Sequence, residues 1–299
     1  MASTSGSRDC SWNRGGFFSP ASVAAQDGGT PETVLGCGIG TAAGLPPVAG
    51  VRPLLTSSPR ALRIEPRPKK AALFFIAAAV CSAGAAHGGG WWGLLLWPAL
   101  VLLTVAFGYC GLGGRVLGKR ADGGRSPLVH AAMLPYTGPA WLIWRAVRRR
   151  KRVQPYDRIG PGVLVARRLY PDEVPHGLSL IVDFTAEFDE PPGVRDAAPY
   201  VAVPLLDGSL PTAADYLDLV DGIAEVQGDV LLHCAAGHGR SATVGAGVLL
   251  RRGVARTADE AIAMLDHARP TAQLDEAQKR MVCRVQAGAT SQRRPGRPD

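Results

Sequence analysis

The six cysteines of this 299-residue chain lie far apart, and no pair of them has the spacing of metal ligands or of a disulfide framework. This distribution excludes a zinc ribbon and a small disulfide-stapled domain. Internal repeats are also missing, and we expect no signal peptide, because no apolar core follows Met1 closely. Only Cys234 has neighbours that indicate a reactive thiol.

Charge is divided unevenly along the chain. Residues 154–288 hold 12 Lys and Arg against 19 Asp and Glu, whereas the rest holds 21 against 6. A diffuse basic charge would indicate a nucleic-acid partner. Here the basic residues flank apolar runs, as they do at the cytoplasmic edge of a membrane. We therefore expect a membrane partner and no nucleic acid, and the acidic domain also disfavours polyanionic substrates.

The N-terminal third contains two apolar stretches without charge. Residues 1–68 are rich in Gly, Ser, Pro and Ala, and are predicted to be a disordered, low-complexity N-terminus. Ala71–His87 and Trp91–Gly114 then give 17 and 24 uncharged residues around a triple-glycine turn. Since a membrane span needs about 20 residues, with roughly 17 as the lower limit, 69–120 is predicted to be a transmembrane helical hairpin. A buried hairpin of a soluble protein is the alternative.

Basic residues on both sides of the hairpin predict its orientation. They are Arg60, Arg63, Arg67, Lys69 and Lys70 before it, and Arg115, Lys119, Arg120 and Arg125 after it. The connecting turn carries none, so both ends are expected on the cytoplasmic side of the cell membrane. The sequence thus predicts a two-pass protein whose C-terminal domain is cytoplasmic.

A third apolar run, 128–144, precedes the basic sequence RAVRRRKR at 145–152. Because the run contains Pro135, Gly138 and Pro139, we do not expect a straight helix. We predict that 121–153 is an interfacial or re-entrant apolar segment with a basic linker, whose tryptophans and six positive charges suit an anionic lipid surface. A third span and a solvated basic linker are the alternatives.

From residue 154 the pattern changes to short apolar runs that alternate with helical periodicity. Strands are predicted at Val163–Ala166, Leu180–Phe184, Tyr200–Leu205 and Val230–His233, and helices at about 212–227, 240–253, 257–268 and 273–287. Near-continuous apolar strands suit a sheet covered on both faces. The predicted fold class is therefore α/β, with a central, mostly parallel sheet of four to five strands and helices on both faces. Residues 289–299 are predicted to be a basic disordered tail.

The sequence HCAAGHGRS at 233–241 joins a predicted buried strand to a predicted helix. Successive N–H groups in such a loop, with the positive end of the helix dipole, form an anion-binding site. Gly237 and Gly239 allow the close approach that this site requires, and the fork of Arg240 matches two phosphate oxygens. The same groups should lower the pKa of Cys234. The spacing therefore predicts an anion held by the loop and attacked by Cys234.

This loop resembles the Cys-x5-Arg-Ser/Thr signature of the protein tyrosine phosphatase superfamily, and the domain is similar to its dual-specificity branch. The resemblance covers 154–288 and includes LIVDFTAEF (180–188), VPLLDGSLP (203–211) and RPTAQLDEAQKRMV (269–282). The opening YDRIGPGVLVA (156–166) is also similar to the phosphatidylglycerol-phosphate phosphatase branch of mitochondria. The resemblance implies a phosphatase domain and a phosphoric monoester hydrolase.

The resemblance also implies a role for each matching residue. Cys234 would be the nucleophile that forms a phosphocysteine, Asp207 the general acid and base, and Ser241 the hydrogen-bond donor that helps the sulfur leave. His233 would orient the loop and tune the thiol. The phosphate-binding residues would be Ala235, Ala236, Gly237, His238, Gly239 and Arg240. No metal and no cofactor is expected.

The substrate is left open between a phosphoprotein, carrying phosphotyrosine, phosphoserine or phosphothreonine, and a phospholipid headgroup. Loops that bind phosphoinositides often carry lysines, whereas this one has Ala235 and Ala236. That difference weakens the case for a polyphosphorylated inositol. Two other functions remain: a catalytically weak module that binds a phosphorylated ligand, and another thiolate enzyme such as a sulfurtransferase. The sequence does not predict an oligomeric state.

Overall fold

The computed structural model describes residues 62–150 and 154–292, with the backbone alone for 288–292. The disorder predicted for 1–61 and for 293–299 lies outside the described residues, as do Lys151 and Arg152.

The two apolar stretches form a pair of packed helices. Helix α1 spans Pro68–Gly88, and a 3₁₀ helix at Gly90–Leu95 leads into α2 at Leu96–Phe107, which ends in a π turn at Gly108–Leu112. Gly89 and Gly90 have φ values of 61° and 52°, which favour glycine in the connection. Both Pro68–Gly88 and Gly90–Leu112 are long and apolar enough to cross a membrane, and most of each remains exposed.

The third apolar run is helical. Helix α3 spans Pro127–Ala132 and α4 spans Leu134–Arg150, so the interruption lies at Met133. The run is thus interrupted, but the two prolines of α4 do not end that helix. Pro135 lies in its first turn, where no backbone N–H is needed, and Pro139 removes a single hydrogen bond near the start of the helix.

The α/β domain contains a five-stranded sheet. Its strands are β1 at Tyr156–Gly160, β2 at Val163–Ala166, β3 at Leu178–Thr185, β4 at Tyr200–Leu205 and β5 at Asp229–His233. The order is β1-β2-β5-β3-β4, with β1 antiparallel to β2 and the other neighbours parallel. The predicted mostly parallel sheet is confirmed. Strand β1 was not predicted, because its sequence YDRIG is largely polar, as an edge position permits.

Helices cover both faces of the sheet, as predicted, but unequally. Short α5 (Pro192–Arg195) is followed by α6 (Ala213–Ala224), α7 (Arg240–Arg251), α8 (Ala258–Ala268) and α9 (Glu276–Gln292). The main core lies between the sheet and α6–α9. A smaller core around Leu169, Ile181 and Val194 covers the other face. Helix α9 continues beyond the domain boundary that we predicted at residue 288.

Residues 62–67, which we predicted to be disordered, are ordered. Ile64 forms an antiparallel bridge with Pro211 and is 5% exposed. The N–H of Glu65 donates to the carbonyl of Leu210 at 3.0 Å, and that of Thr212 donates to the carbonyl of Arg63 at 2.7 Å. Backbone pairing with a distant loop and burial of one isoleucine order this segment, and its proline-rich composition gave no sign of either.

The end of the hairpin that lies away from its glycine turn shares a core with the α/β domain. Ala71, Val105, Tyr109 and Leu117 pack with Ala186 and Leu206, which follow β3 and β4. A Cβ added at Gly108 would lie 2.7 Å from the Leu206 side chain, so the two parts are in close contact. The hairpin is therefore packed directly onto the α/β domain.

Candidate active site

The predicted anion-binding loop lies between β5 and α7, at the carboxyl end of the parallel strands. Gly237 has a φ of 72°, and a Cβ there would lie 2.8 Å from the backbone carbonyl of Ala166. Both facts require glycine at this position. The side chain of His238 lines the cavity beside the loop.

Three carbonyl groups of the loop accept hydrogen bonds from side chains that lie outside the loop. The indole N–H of Trp144 donates to the carbonyl of Ala235 at 3.1 Å. Arg269 donates to the carbonyls of Gly237, at 3.0 Å, and Ala236, at 3.5 Å. Within one peptide group the N–H and the C=O point in opposite directions. Carbonyls held from outside therefore direct the N–H groups of the same peptides towards the centre of the loop, as an anion-binding loop requires.

Cys234 lies at the base of this loop and is 3% exposed. Its Sγ accepts hydrogen bonds from the N–H of Gly237, at 3.2 Å, and the hydroxyl of Ser241, at 3.3 Å. Burial alone would raise the pKa of the thiol, but the positive charge of Arg240 and these hydrogen bonds together lower it. The predicted positions of Cys234, Ser241 and Arg240 in one site are thus as the sequence indicated.

Arg240 is 3% exposed and is held in a fixed orientation. Its two terminal nitrogens donate to both carboxylate oxygens of Glu187, at 2.9 and 2.6 Å. Nη1 also donates to the carbonyls of Leu205, at 2.7 Å, and Phe184, at 3.2 Å. Sequence reasoning missed Glu187, although it lies inside the quoted strand motif 180–188, because nothing local connects it to an arginine 53 residues later.

Asp207 lies in the loop that follows β4, and its side chain is 75% exposed. Its carboxylate lies 3.4 Å from Nη2 of Arg240, so the structure brings the predicted acid to the anion-binding loop. The backbone carbonyl of Asp207 accepts hydrogen bonds from Lys70 Nζ, at 2.6 Å, and the hydroxyl of Tyr109, at 2.9 Å. Neither contact was predicted.

His233 is fully buried behind the loop, between two carboxylates. Nδ1 lies 3.9 Å from Asp183 and Nε2 lies 4.0 Å from Glu190. Burial lowers the pKa of His233 to about 4, so the imidazole is neutral near pH 7 and adds no positive charge beside Cys234. Neither ring nitrogen has a hydrogen-bond partner in the described part of the chain. Its predicted role in orienting the loop stays a prediction.

Two cations balance the carboxylates around His233. Lys119 Nζ lies 2.5 Å from Asp183, and Arg168 Nε lies 3.5 Å from Glu190. Oxygen and nitrogen atoms of Asp183, Glu190 and His233 lie within 4.8 Å of one another, a separation that would suit a metal ion. Since Asp183 already pairs with Lys119, and burial raises the pKa of Glu190 to about 8, this group is better described as an ion-pair network that includes a largely protonated Glu190. Lys119 belongs to the segment predicted as hairpin, so that segment completes the buried interior of the domain.

A cavity of about 340 Å³ lies beside the loop. Its lining comprises Ala235, Ala236 and His238 from the loop, Glu187, Phe188 and Asp207 opposite, Arg167, and Tyr136, Ala140, Ile143, Trp144, Val147 and Arg148 from α4. Helix α4 therefore supplies a mostly apolar wall next to the anion-binding loop. No sequence pattern indicated that this helix would lie at the site.

No family model and no curated protein matches this chain. The chain is similar to several solved structures, three of which each have a TM-score of 0.39. Human DUSP28 matches at 20% identity over 46% of this chain and 95% of that one. PTPMT1 in complex with PI(5)P matches at 20% identity over 46% and 98%. The human tyrosine phosphatase-like serine/threonine/tyrosine-interacting protein matches at 18% identity over 46% and 99%.

Proposed function

We propose that this chain is a membrane-anchored, cysteine-dependent phosphatase that hydrolyses phosphate monoesters. One observation carries the proposal. The buried sulfur of Cys234 lies at the base of a loop whose carbonyls are bonded from outside, beside an arginine that Glu187 fixes in place. A thiolate, inward N–H groups and a preorganised guanidinium are what phosphoryl transfer to a cysteine needs.

The reaction has two steps. The Cys234 thiolate attacks phosphorus and the ester oxygen leaves with a proton from Asp207, which gives a phosphocysteine and an alcohol. Asp207 then removes a proton from a water molecule that attacks phosphorus. The S–P bond breaks, inorganic phosphate leaves, and the hydroxyl of Ser241, 3.3 Å from the sulfur, stabilises the returning thiolate. Arg240 and the loop N–H groups bind the phosphoryl oxygens in both steps.

Exposed apolar side chains support a membrane anchor. In the described part of the chain, the large hydrophobic residues with high exposure all fall between Leu73 and Val147, and they include four tryptophans. A surface of this kind suits lipid on the hairpin and the headgroup region along α4, whose Trp141 packs against Arg145. We infer a two-pass hairpin with the catalytic domain on the cytoplasmic side.

The cavity favours a phospholipid over a phosphoprotein as substrate. Its wall includes Ala140, Ile143, Trp144 and Val147, all from the helix that we place at the membrane surface. A lipid phosphomonoester could keep its apolar part against this wall while its phosphate reaches the loop. A phosphopeptide gains less from such a wall, and its turnover is the alternative outcome of the test.

The test is phosphate release by the full-length protein in phospholipid nanodiscs. The substrates are phosphatidylglycerol phosphate incorporated in the nanodisc bilayer, and phosphotyrosine and phosphoserine peptides in solution. We expect turnover that prefers the lipid, is lost in Cys234→Ser and is retained in Cys283→Ser, a matched control on α9. Preference for peptides would reassign the substrate.

The two alternative functions give different results in the same assay. Activity that persists in Cys234→Ser would contradict the phosphocysteine mechanism. Vanadate binding without turnover would indicate a binding module, and Cys234-dependent sulfur transfer from thiosulfate to cyanide would indicate a sulfurtransferase.

A further inference from the structure

The loop that carries Asp207 is held along its length by residues that precede the α/β domain. We call Leu206–Thr212 the acid loop. Lys70 and Tyr109, from the two sides of the hairpin, both donate to the carbonyl of Asp207, at 2.6 and 2.9 Å. The segment around Ile64 pairs with the other end of the loop, where Ile64 bridges Pro211.

The donors on the hairpin are themselves fixed. Tyr109 is 3% exposed, and its ring stacks on Phe74 with centroids 5.4 Å apart. Nζ of Lys70 lies 5.6 Å from the centre of the same ring, a cation–π contact. Lys70 also crosses directly over Gly208, whose φ is 65°, and a side chain at 208 would take the space of Nζ. The contacts therefore join helix α1 and the π turn after α2 to one peptide group.

The carboxylate of Asp207 has little support of its own. It is 75% exposed, and its contact to Nη2 of Arg240 is a long one, at 3.4 Å. Inside the loop, the backbone and hydroxyl of Ser209 bond back to Leu206 and shape the turn without reaching the carboxylate. The direction of the acid is thus set by how its peptide group is held.

We propose that Lys70 and Tyr109 are positioning residues for the general acid, so that the membrane hairpin sets the placement of Asp207 over the catalytic loop. This inference rests on the proposed phosphatase function. Asp207 serves both steps, and kcat/KM reports the first one, protonation of the leaving oxygen, because water attacks after the alcohol has left. An ester whose leaving group departs easily as an anion needs no such proton, whereas an ester of a poor leaving group depends on it.

The experiment compares nitrophenyl phosphate, a good leaving group, with phenyl phosphate, a poor one, using full-length protein in nanodiscs. In Tyr109→Phe and Lys70→Met we expect kcat/KM for phenyl phosphate to fall by about tenfold or more, and kcat/KM for nitrophenyl phosphate to change by less than about threefold. Lys70→Arg should restore most of the loss. Tyr156→Phe and Lys69→Met are the matched controls, because Tyr156 lies on edge strand β1 and Lys69 is exposed.

A double variant tests whether the effect acts through Asp207. Asp207→Asn should show the same selective loss, and adding Tyr109→Phe to it should cost no further activity. Equal losses on both substrates, no loss, or a further loss in the double variant would overturn the inference while Cys234-dependent turnover stands. Absence of Cys234-dependent turnover in the unmodified protein would overturn the proposed function and this inference together.

Discussion

The two loops that meet at the candidate active site are held in opposite ways. The proposed phosphate-binding loop at 234–240 buries Cys234, Gly237 and Arg240, and three of its carbonyls are bonded by Arg269 and Trp144. The acid loop carries an exposed carboxylate, and its peptide group is fixed by Lys70 and Tyr109 from the hairpin. The loop that carries Cys234 and Arg240 is therefore held largely by the α/β domain, and the loop that carries Asp207 is held by the hairpin.

This difference fits what each loop has to do. Groups that stabilise charge in a transition state are most effective when they are already in place. The Arg240–Glu187 pair, with Nη2 and Oε1 2.6 Å apart, is buried and held in this way. Breaking such a pair leaves a buried charge without its partner. A proton donor has to meet the substrate and then water, so an exposed position suits it.

The largest expected effect comes from breaking the phosphate-binding half at Arg240. Arg240→Lys removes the planar fork that contacts both oxygens of Glu187 and would contact two phosphate oxygens. We expect kcat/KM to fall about 10²–10³-fold for good and poor leaving groups alike. Arg251→Lys on the same helix is the control. Retention of more than about a tenth of the activity would show that the fork is not required.

Arg269→Lys tests the outer side of the same loop. The substitution removes the paired donation to Gly237 and Ala236, so the loop N–H groups lose their fixed direction. We expect kcat/KM to fall about tenfold, again equally for both leaving groups, in contrast to the hairpin variants. Arg280→Lys, an exposed position on α9, is the control. A loss confined to phenyl phosphate would mean that Arg269 acts on the acid and not on the loop.

Trp144→Phe should have a smaller effect. The ring that lines the cavity is largely retained, but the N–H that donates to the carbonyl of Ala235 at 3.1 Å is lost. One hydrogen bond of about 1 kcal/mol corresponds to about a fivefold change, which we expect in KM. Trp141→Phe, on the exposed side of α4, should leave KM unchanged. An equal change in both variants would assign the effect to the membrane surface.

The residues of the candidate loop could be named from the sequence because the loop is contiguous: His233, Cys234, the glycines, Arg240 and Ser241 lie within nine residues. Asp207 was found because it follows a predicted strand and matches a motif. The supporting residues were missed because their partners are distant along the chain. Trp144 lies 91 residues from its acceptor, and Tyr109 lies 98 residues from Asp207.

Amino-acid composition also led to wrong expectations for segment 62–67 and for Lys119. The segment 62–67 looks like a disordered chain, yet it becomes a partner of the acid loop through Ile64. Lys119 looks like a basic residue flanking a membrane span, yet it is buried against Asp183. Ile64 and Lys119 both contact residues that are distant along the chain, Pro211 and Asp183, and no local sequence pattern indicates such contacts.

The smallest expected effect concerns the buried ion-pair network behind the phosphate-binding loop. Burial, with a contribution from nearby Asp183, raises the pKa of Glu190 from 4.5 to about 8. In the unfolded chain this carboxyl ionises at the lower value, so between these two pH values the folded state holds more protons and stability falls as pH rises. In Glu190→Gln this loss is absent. Its Tm should exceed that of the unmodified protein, and this difference should grow by about 3 °C or more from pH 5 to pH 8.

Glu173→Gln is the matched control of opposite sign. Burial alone would raise the pKa of Glu173, but hydrogen bonds from Arg167 and Arg148 lower it to about 2, so this variant should be less stable than the unmodified protein from pH 5 to pH 8. A Tm difference for Glu190→Gln that stays constant over the same range would show that Glu190 is ionised in the folded protein, with Arg168 as a full partner.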